Sequence, residues 1–148
     1  MTDPIRNRSR LMLGCGSAAL ALALALAPKS AQAQGIDATG SVVFGSAQIT
    51  DISPTETTVD VLAPTVVIDW TPNEDAGGNA LDFIRTGATA TFDGGSLTDF
   101  SVLNRILPST NGNLAVIDGT VLARITDPAT GASIPGGFVA FYSPTGIL

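Results

Sequence analysis

The chain has 148 residues, with 13 acidic and 7 basic side chains, a net charge of −6, no histidine and one cysteine. Without histidine there is no His-based triad and no zinc site of the common kinds, and one cysteine cannot form an internal disulfide. The acidic balance disfavours nucleic acid and anionic lipid surfaces as partners.

Arg6, Arg8 and Arg10 precede an apolar run from Leu11 to Ala27, Pro28 stops it, and Ala31-Gln32-Ala33 follows. A basic segment, a short apolar core and small residues at −3 and −1 predict a signal peptide over 1–33, cleaved between Ala33 and Gln34. A membrane anchor is the competing reading, but the run sits at the short edge of the roughly 17–25 residues needed to span. Cys15 precedes most of the apolar run, which is the wrong place for a lipidation site. The expected mature chain, 34–148, carries three arginines against twelve carboxylates, a net charge of about −9. Its sole candidate thiol leaves with the leader, so an exported domain of this size is stabilised by packing.

Almost nothing in the mature chain reads as helix. Gly and Pro recur, Thr, Val and Ile are plentiful, and periods are close to two. Ser41–Phe44, Thr57–Leu62 and Thr65–Trp70 are predicted strands, the last two bounded by Pro54, Pro64 and Pro72. Residues 74–79 form a polar, Gly-rich loop. Ala80–Ile84 and Ala88–Phe92 follow, then Asp99–Leu107, Leu114–Ile117 and Thr120–Ile125, separated by Asp-Gly, Asn-Gly and Pro signals. In Phe138–Tyr142 both faces are largely apolar, which predicts a buried strand. Ser143-Pro144-Thr145-Gly146 has the composition of a type I turn, and Ile147 and Leu148 point onward from it.

Short strands bounded by turn residues predict an all-β fold, and a β-sandwich meets that description as well as a solenoid does. Pro72, Pro108 and Pro144 each end an apolar run and stand at equal intervals of 36 residues. Coils of about half that length would bring them into register.

Three elements carry a family resemblance. Leu97–Ile106, which includes Phe100-Ser101-Val102, looks like an "F-x-V" strand; Ala115–Val121 matches a "G-x-I" element; Phe138–Leu148 matches a strand ending in Asn-Pro-Asn-Gly-Ile, with Ser143 and Thr145 where that signature has asparagines. In this order and spacing they resemble the amino-terminal secretion domain of two-partner-secretion exoproteins, the filamentous haemagglutinin-like family. The resemblance covers about Thr65 to the end. It implies a right-handed parallel β-helix, with a β-sandwich the alternative, and makes 34–148 the amino-terminal part of such a domain, from a fragment or a truncated reading frame. It also implies export through the periplasm to the cell surface or extracellular space, recognition by a dedicated outer-membrane transporter, and an adhesin-type full-length protein able to meet host or surface glycans. The residues it marks are Asn104, Gly119, Tyr142, Ser143, Pro144, Thr145 and Gly146, as turn and strand determinants.

Reactive chemistry is sparse. No phosphate-binding Gly loop of P-loop or Rossmann type is present. Glu74, Asp75, Asp93 and Asp99 are candidates for a carboxylate pair or a calcium site on a polysaccharide-active β-helix. Against this, Asp93, Asp118 and Asp127 each precede Gly or Pro, where Asp shapes turns through its own side chain. The expectation is no catalytic residue, no metal, no cofactor and no enzymatic activity. Trp70, Phe83, Phe92, Phe100, Phe138, Phe141 and Tyr142 are expected in the core, because six of them lie inside apolar or alternating runs. Freestanding periplasmic or extracellular binding by a β-sandwich is the competing function.

Overall fold

A computed structural model describes residues 34–73 and 80–148, all within the unit that runs from Ala31 to Leu148. The expected leader, Ala33 at its cleavage site, and the 74–79 loop with Glu74 and Asp75 lie outside the described residues. The described residues are all-β. Eleven strands follow in order: β1 Ala38–Phe44, β2 Ala47–Ser53, β3 Glu56–Val61, β4 Thr65–Pro72, β5 Leu81–Ile84, β6 Thr89–Asp93, β7 Ser101–Ile106, β8 Ala115–Ile117, β9 Thr120–Thr126, β10 Ser133–Pro135 and β11 Phe138–Tyr142.

They form three sheets, in the orders β1-β4-β7-β11, β10-β9-β6-β3-β2 and β5-β8. The parallel pairs β3 with β6, β6 with β9, β4 with β7 and β7 with β11 are in continuous register, and β5 with β8 is parallel with a register shift between Asp82 and Ile84. The antiparallel pairs are at the margins, β1 on β4, β2 on β3 and β10 on β9. Parallel partners are far apart in sequence: Thr65 faces Ser101, and Asp69 faces Arg105, 36 residues on. Trp70 lies opposite Ile106, so the interval between Pro72 and Pro108 matches one whole step between neighbouring strands. The half-length period expected from the prolines is therefore wrong by a factor of two, because the step from β4 to β7 takes in three strands, one in each sheet.

Alternation sets what each strand buries. On β3 and β6 the odd-and-even pattern sends Thr57, Val59 and Val61, and Ala90 and Phe92, inward, with Glu56, Thr58, Thr89 and Thr91 outward. All three sheets contribute to one core, with Val59 and Phe92 from the second, Ile68, Trp70 and Val102 from the first, and Phe83 and Ala115 from the third. Trp70 meets Phe83 edge to face with centroids 5.9 Å apart, and Phe141 packs edge-on against Phe83 and Phe92. Burying such rings removes roughly 150–250 Å2 each from water.

Two of the eleven strands escape the sequence reading. In β2 the alternation breaks, since Asp51 turns toward the Thr57 hydroxyl (2.8 Å) and Ile52 is left 57% exposed at a bulge between Asp51 and Ser53. β10 is three residues long and exposed throughout. The expectation of a buried final strand is also corrected. β11 is an edge strand; Val139 and Phe141 pack against the core, while Phe138 and Tyr142 are 65% and 56% exposed.

Candidate functional site

Asn104 sits midway along β7, its backbone between Ile68 of β4 and Phe141 of β11. Alternation turns its side chain inward, where it is completely buried. Its Oδ1 accepts the Trp70 indole N–H at 2.9 Å, and its Nδ2 donates to the Ala140 carbonyl at 3.2 Å. One amide thus satisfies the polar edge of the largest core ring and ties β11 to β7. Among the described residues no buried side-chain nitrogen or oxygen is left without a partner.

The segment after β11 forms the expected turn. The Gly146 N–H donates to the Ser143 carbonyl at 3.2 Å, closing a four-residue turn with Pro144 at its second position. Gly146 has φ near +100°, a backbone conformation that favours glycine, and a Cβ there would displace only the end of the Leu114 side chain. The Ser143 and Thr145 hydroxyls are 2.9 Å apart, and Thr145 donates to the Asn113 carbonyl at 2.9 Å. Two hydroxyls therefore stand where the resembling signature has amides, and they pin the turn to the loop before β8.

Ile147 and Leu148 then run parallel to β8. The Ala115 N–H donates to the Gly146 carbonyl, the Leu148 N–H to the Ala115 carbonyl, and the Ile117 N–H to the Leu148 carbonyl, at 2.8 to 3.1 Å. These residues join the third sheet beside β8, where the sequence left them pointing onward.

Gly119 lies between β8 and β9. The Asp118 and Gly119 N–H groups both donate to the Ile84 carbonyl, and a Cβ on Gly119 would come within 2.7 Å of the Ala88 and Arg85 carbonyls. Only glycine lets this turn stack on the one that precedes β6. Asn104, Gly119 and the 143–146 turn thus hold neighbouring strands and turns together. Tyr142 does not join them; its ring faces outward. Gln34 accepts a bond from the Arg85 guanidinium through its carbonyl at 3.4 Å.

Most of the carboxylates with a side-chain partner serve local structure. Asp93 accepts the Gly95 N–H at 2.7 Å and Asp99 accepts the Phe100 N–H at 2.9 Å. Asp127 accepts the Ala129 N–H and the Thr130 hydroxyl, and those bonds, the amide first, hold it below the usual aspartate range. Asp69 and Arg105 form a two-pronged ion pair at 2.6 and 2.8 Å across β4 and β7, which raises the arginine further above its ordinary value. Among the described residues no three His, Cys, Asp or Glu side chains cluster closely enough to hold a metal. Neither protein-family models nor curated protein sequences gave a match to the chain.

Proposed function

We propose that the chain is the amino-terminal part of the secretion module of an exported bacterial surface protein of the two-partner kind, with its strands wound as successive coils of a right-handed parallel β-helix. The observation that carries this reading is the in-register parallel pairing of β4, β7 and β11, and of β3, β6 and β9, at intervals of 31 to 37 residues (Thr89 to Thr120 and Ser101 to Phe138 are the extremes). A chain visiting three sheets in turn and returning to each one strand further on follows a helical path, and crossovers between parallel strands of one sheet are right-handed in about 98% of cases. The first and last elements of the resemblance fall on the paired strands β7 and β11, and the middle one on β8 and the start of β9, with residues 147–148 after the β11 turn running beside β8.

In this reading the module is not an enzyme, and Asn104, Gly119 and residues 143–146 are determinants of shape. Its partner is a periplasm-facing domain of an outer-membrane transporter, which receives the module after leader cleavage at Ala33. Substituting Pro144 and Gly146 together, in a fusion to a downstream passenger, then abolishes surface display while leaving leader removal intact. Normal display of that double variant, followed by surface proteolysis and mass spectrometry of the amino terminus, would overturn the reading.

A further inference from the structure

The outer strands of the two larger sheets are not alike. β1 and β2 are each broken by a bulge, between Val42 and Phe44 and between Asp51 and Ser53, and β2 carries Asp51. β10 is three residues long and ends in Pro135. Bulges, charges, prolines and shortness all blunt an edge against a further strand. β11 is different: five residues in continuous register with β7 alone, without a charge, a proline or a bulge. No charged side chain occurs anywhere from Pro128 to Leu148.

The backbone of β11 is set for one more partner. The Phe138 N–H donates to the Phe100 carbonyl at 2.8 Å, so the peptide groups of Phe138, Ala140 and Tyr142 turn toward β7 and those of Val139 and Phe141 toward the open side. Among the described residues nothing bonds that side. The strand also complements itself when a second copy runs antiparallel to it, centred on Ala140. Val139 and Phe141 of the second copy then exchange two N–H to carbonyl bonds, and the symmetry-related pair exchanges two more. Outward, Phe138 faces Tyr142 of the second copy and Ala140 faces Ala140; inward, Val139 faces Phe141. Aromatic–aromatic and aromatic–β-branched pairs are the combinations that stabilise such a ladder. They are formed by the two outward rings and the two half-buried inward side chains that a single copy leaves without cover. Charge points to the same occupant. The expected mature chain carries about −9, yet β11 against β11 brings no charged side chains face to face, and Arg105, opposite Tyr142 on β7, is neutralised by Asp69.

We infer that this chain forms a two-fold dimer by antiparallel pairing of β11 with β11 of a second copy, which joins two β1-β4-β7-β11 sheets into one. Both copies use the same edge, so the assembly closes at two. The inference rests on the register of β11 and is independent of the secretion reading. One five-residue strand per copy is small against the roughly 800 Å2 per partner of a standard interface, so dissociation falls in the micromolar range. The test is sedimentation velocity from about 1 to about 300 μM, a range that brackets such a constant, on the chain expressed in full from Met1. Reducing buffer keeps Cys15, where retained, from linking copies. The sedimentation coefficient rises with concentration from monomer to dimer and no further. Ala140→Lys and Ala140→Glu, each setting like charges directly opposite, weaken association about tenfold or more, and an equimolar mixture of the two restores it. The double variant Phe138→Thr, Tyr142→Thr, changed only at exposed rings, gives the same weakening if circular dichroism shows a charged variant unfolded. Phe44→Thr, equally exposed on the opposite edge of the same sheet, leaves association unchanged. A monomer throughout the range, growth beyond two copies, association unmoved by the Ala140 changes, or equal weakening by Phe44→Thr would overturn the assignment.

Discussion

Val66, Val102 and Val139 occupy one register position on β4, β7 and β11, yet the first two are 0% and 1% exposed and the third is only half-buried. Val59, Phe92 and Ala123 repeat the pattern on β3, β6 and β9. The chemistry of the positions barely differs; their neighbours do. On the side of β3 and β4, the antiparallel strands β1 and β2 cover the sheet edges, and Ile36 and Ala38 close the interior at 1% and 5% exposure. On the side of β9 and β11, β10 pairs only with Arg124–Thr126, and β11 has no outer partner. A strand's burial in this fold is thus decided by what lies one strand beyond it, more than by its own sequence.

The sharpest way to break that comparison is a pair of equivalent truncations. Phe92→Ala, in the enclosed interior, is expected to lower unfolding free energy by about 3–5 kcal/mol, the range for buried aromatics. Phe141→Ala, packed on the same ring but half-covered, should cost about half as much because the site is partly solvated already. Urea unfolding of both variants decides it, and equal losses would mean that the β11 side is as enclosed as the β3 side.

A smaller effect is expected where the two regions are joined. Asn104→Ala leaves the Trp70 indole N–H buried without an acceptor, at about 1–3 kcal/mol. Trp70→Phe removes that donor, so the double variant should be less destabilised than the sum of the singles. Additive losses in a double-mutant cycle would show that the pair is not coupled.

The mildest contrast concerns the β9–β10 hairpin. Asp127 caps its turn as a carboxylate held below the ordinary range, so its contribution is complete above that range and is lost as pH falls through the depressed value. Protection of the Ala129 and Gly131 amides, measured against their intrinsic exchange rates at each pH, should therefore fall on acidification below the usual aspartate range, while amides of β3 and β6 stay protected. Unaltered exchange at Ala129 would separate the cap from the hairpin's stability.

Much of the architecture was legible because a half-buried strand writes itself as alternation. β6 reads cleanly, Thr89 and Thr91 against Ala90 and Phe92, and nine of the strands were located from such patterns and their Gly and Pro boundaries. β2 was not, since Asp51, itself exposed, takes the Thr57 hydroxyl and Ile52 beside it is also exposed at a bulge, which breaks the alternation. Phe138 and Tyr142 misled for a different reason. Apolar character on both faces of β11 says nothing about which face finds a cover, and that depends on a neighbouring strand that alternation does not specify. The role of Gly146 could be read from its turn, whereas the Asn104–Trp70 bond joins residues 34 apart and needed the register to be known.

The long sequence interval between parallel partners also has a kinetic consequence. Each of those pairings must bring together residues 31 to 37 apart before its first ladder bond forms, at an entropic cost that local contacts do not offset in advance. By contrast, β2 and β3 meet through a tight connection, with Ser53 opposite Glu56. That hairpin is the natural nucleus, formed in microseconds, onto which later strands add one at a time over milliseconds to seconds.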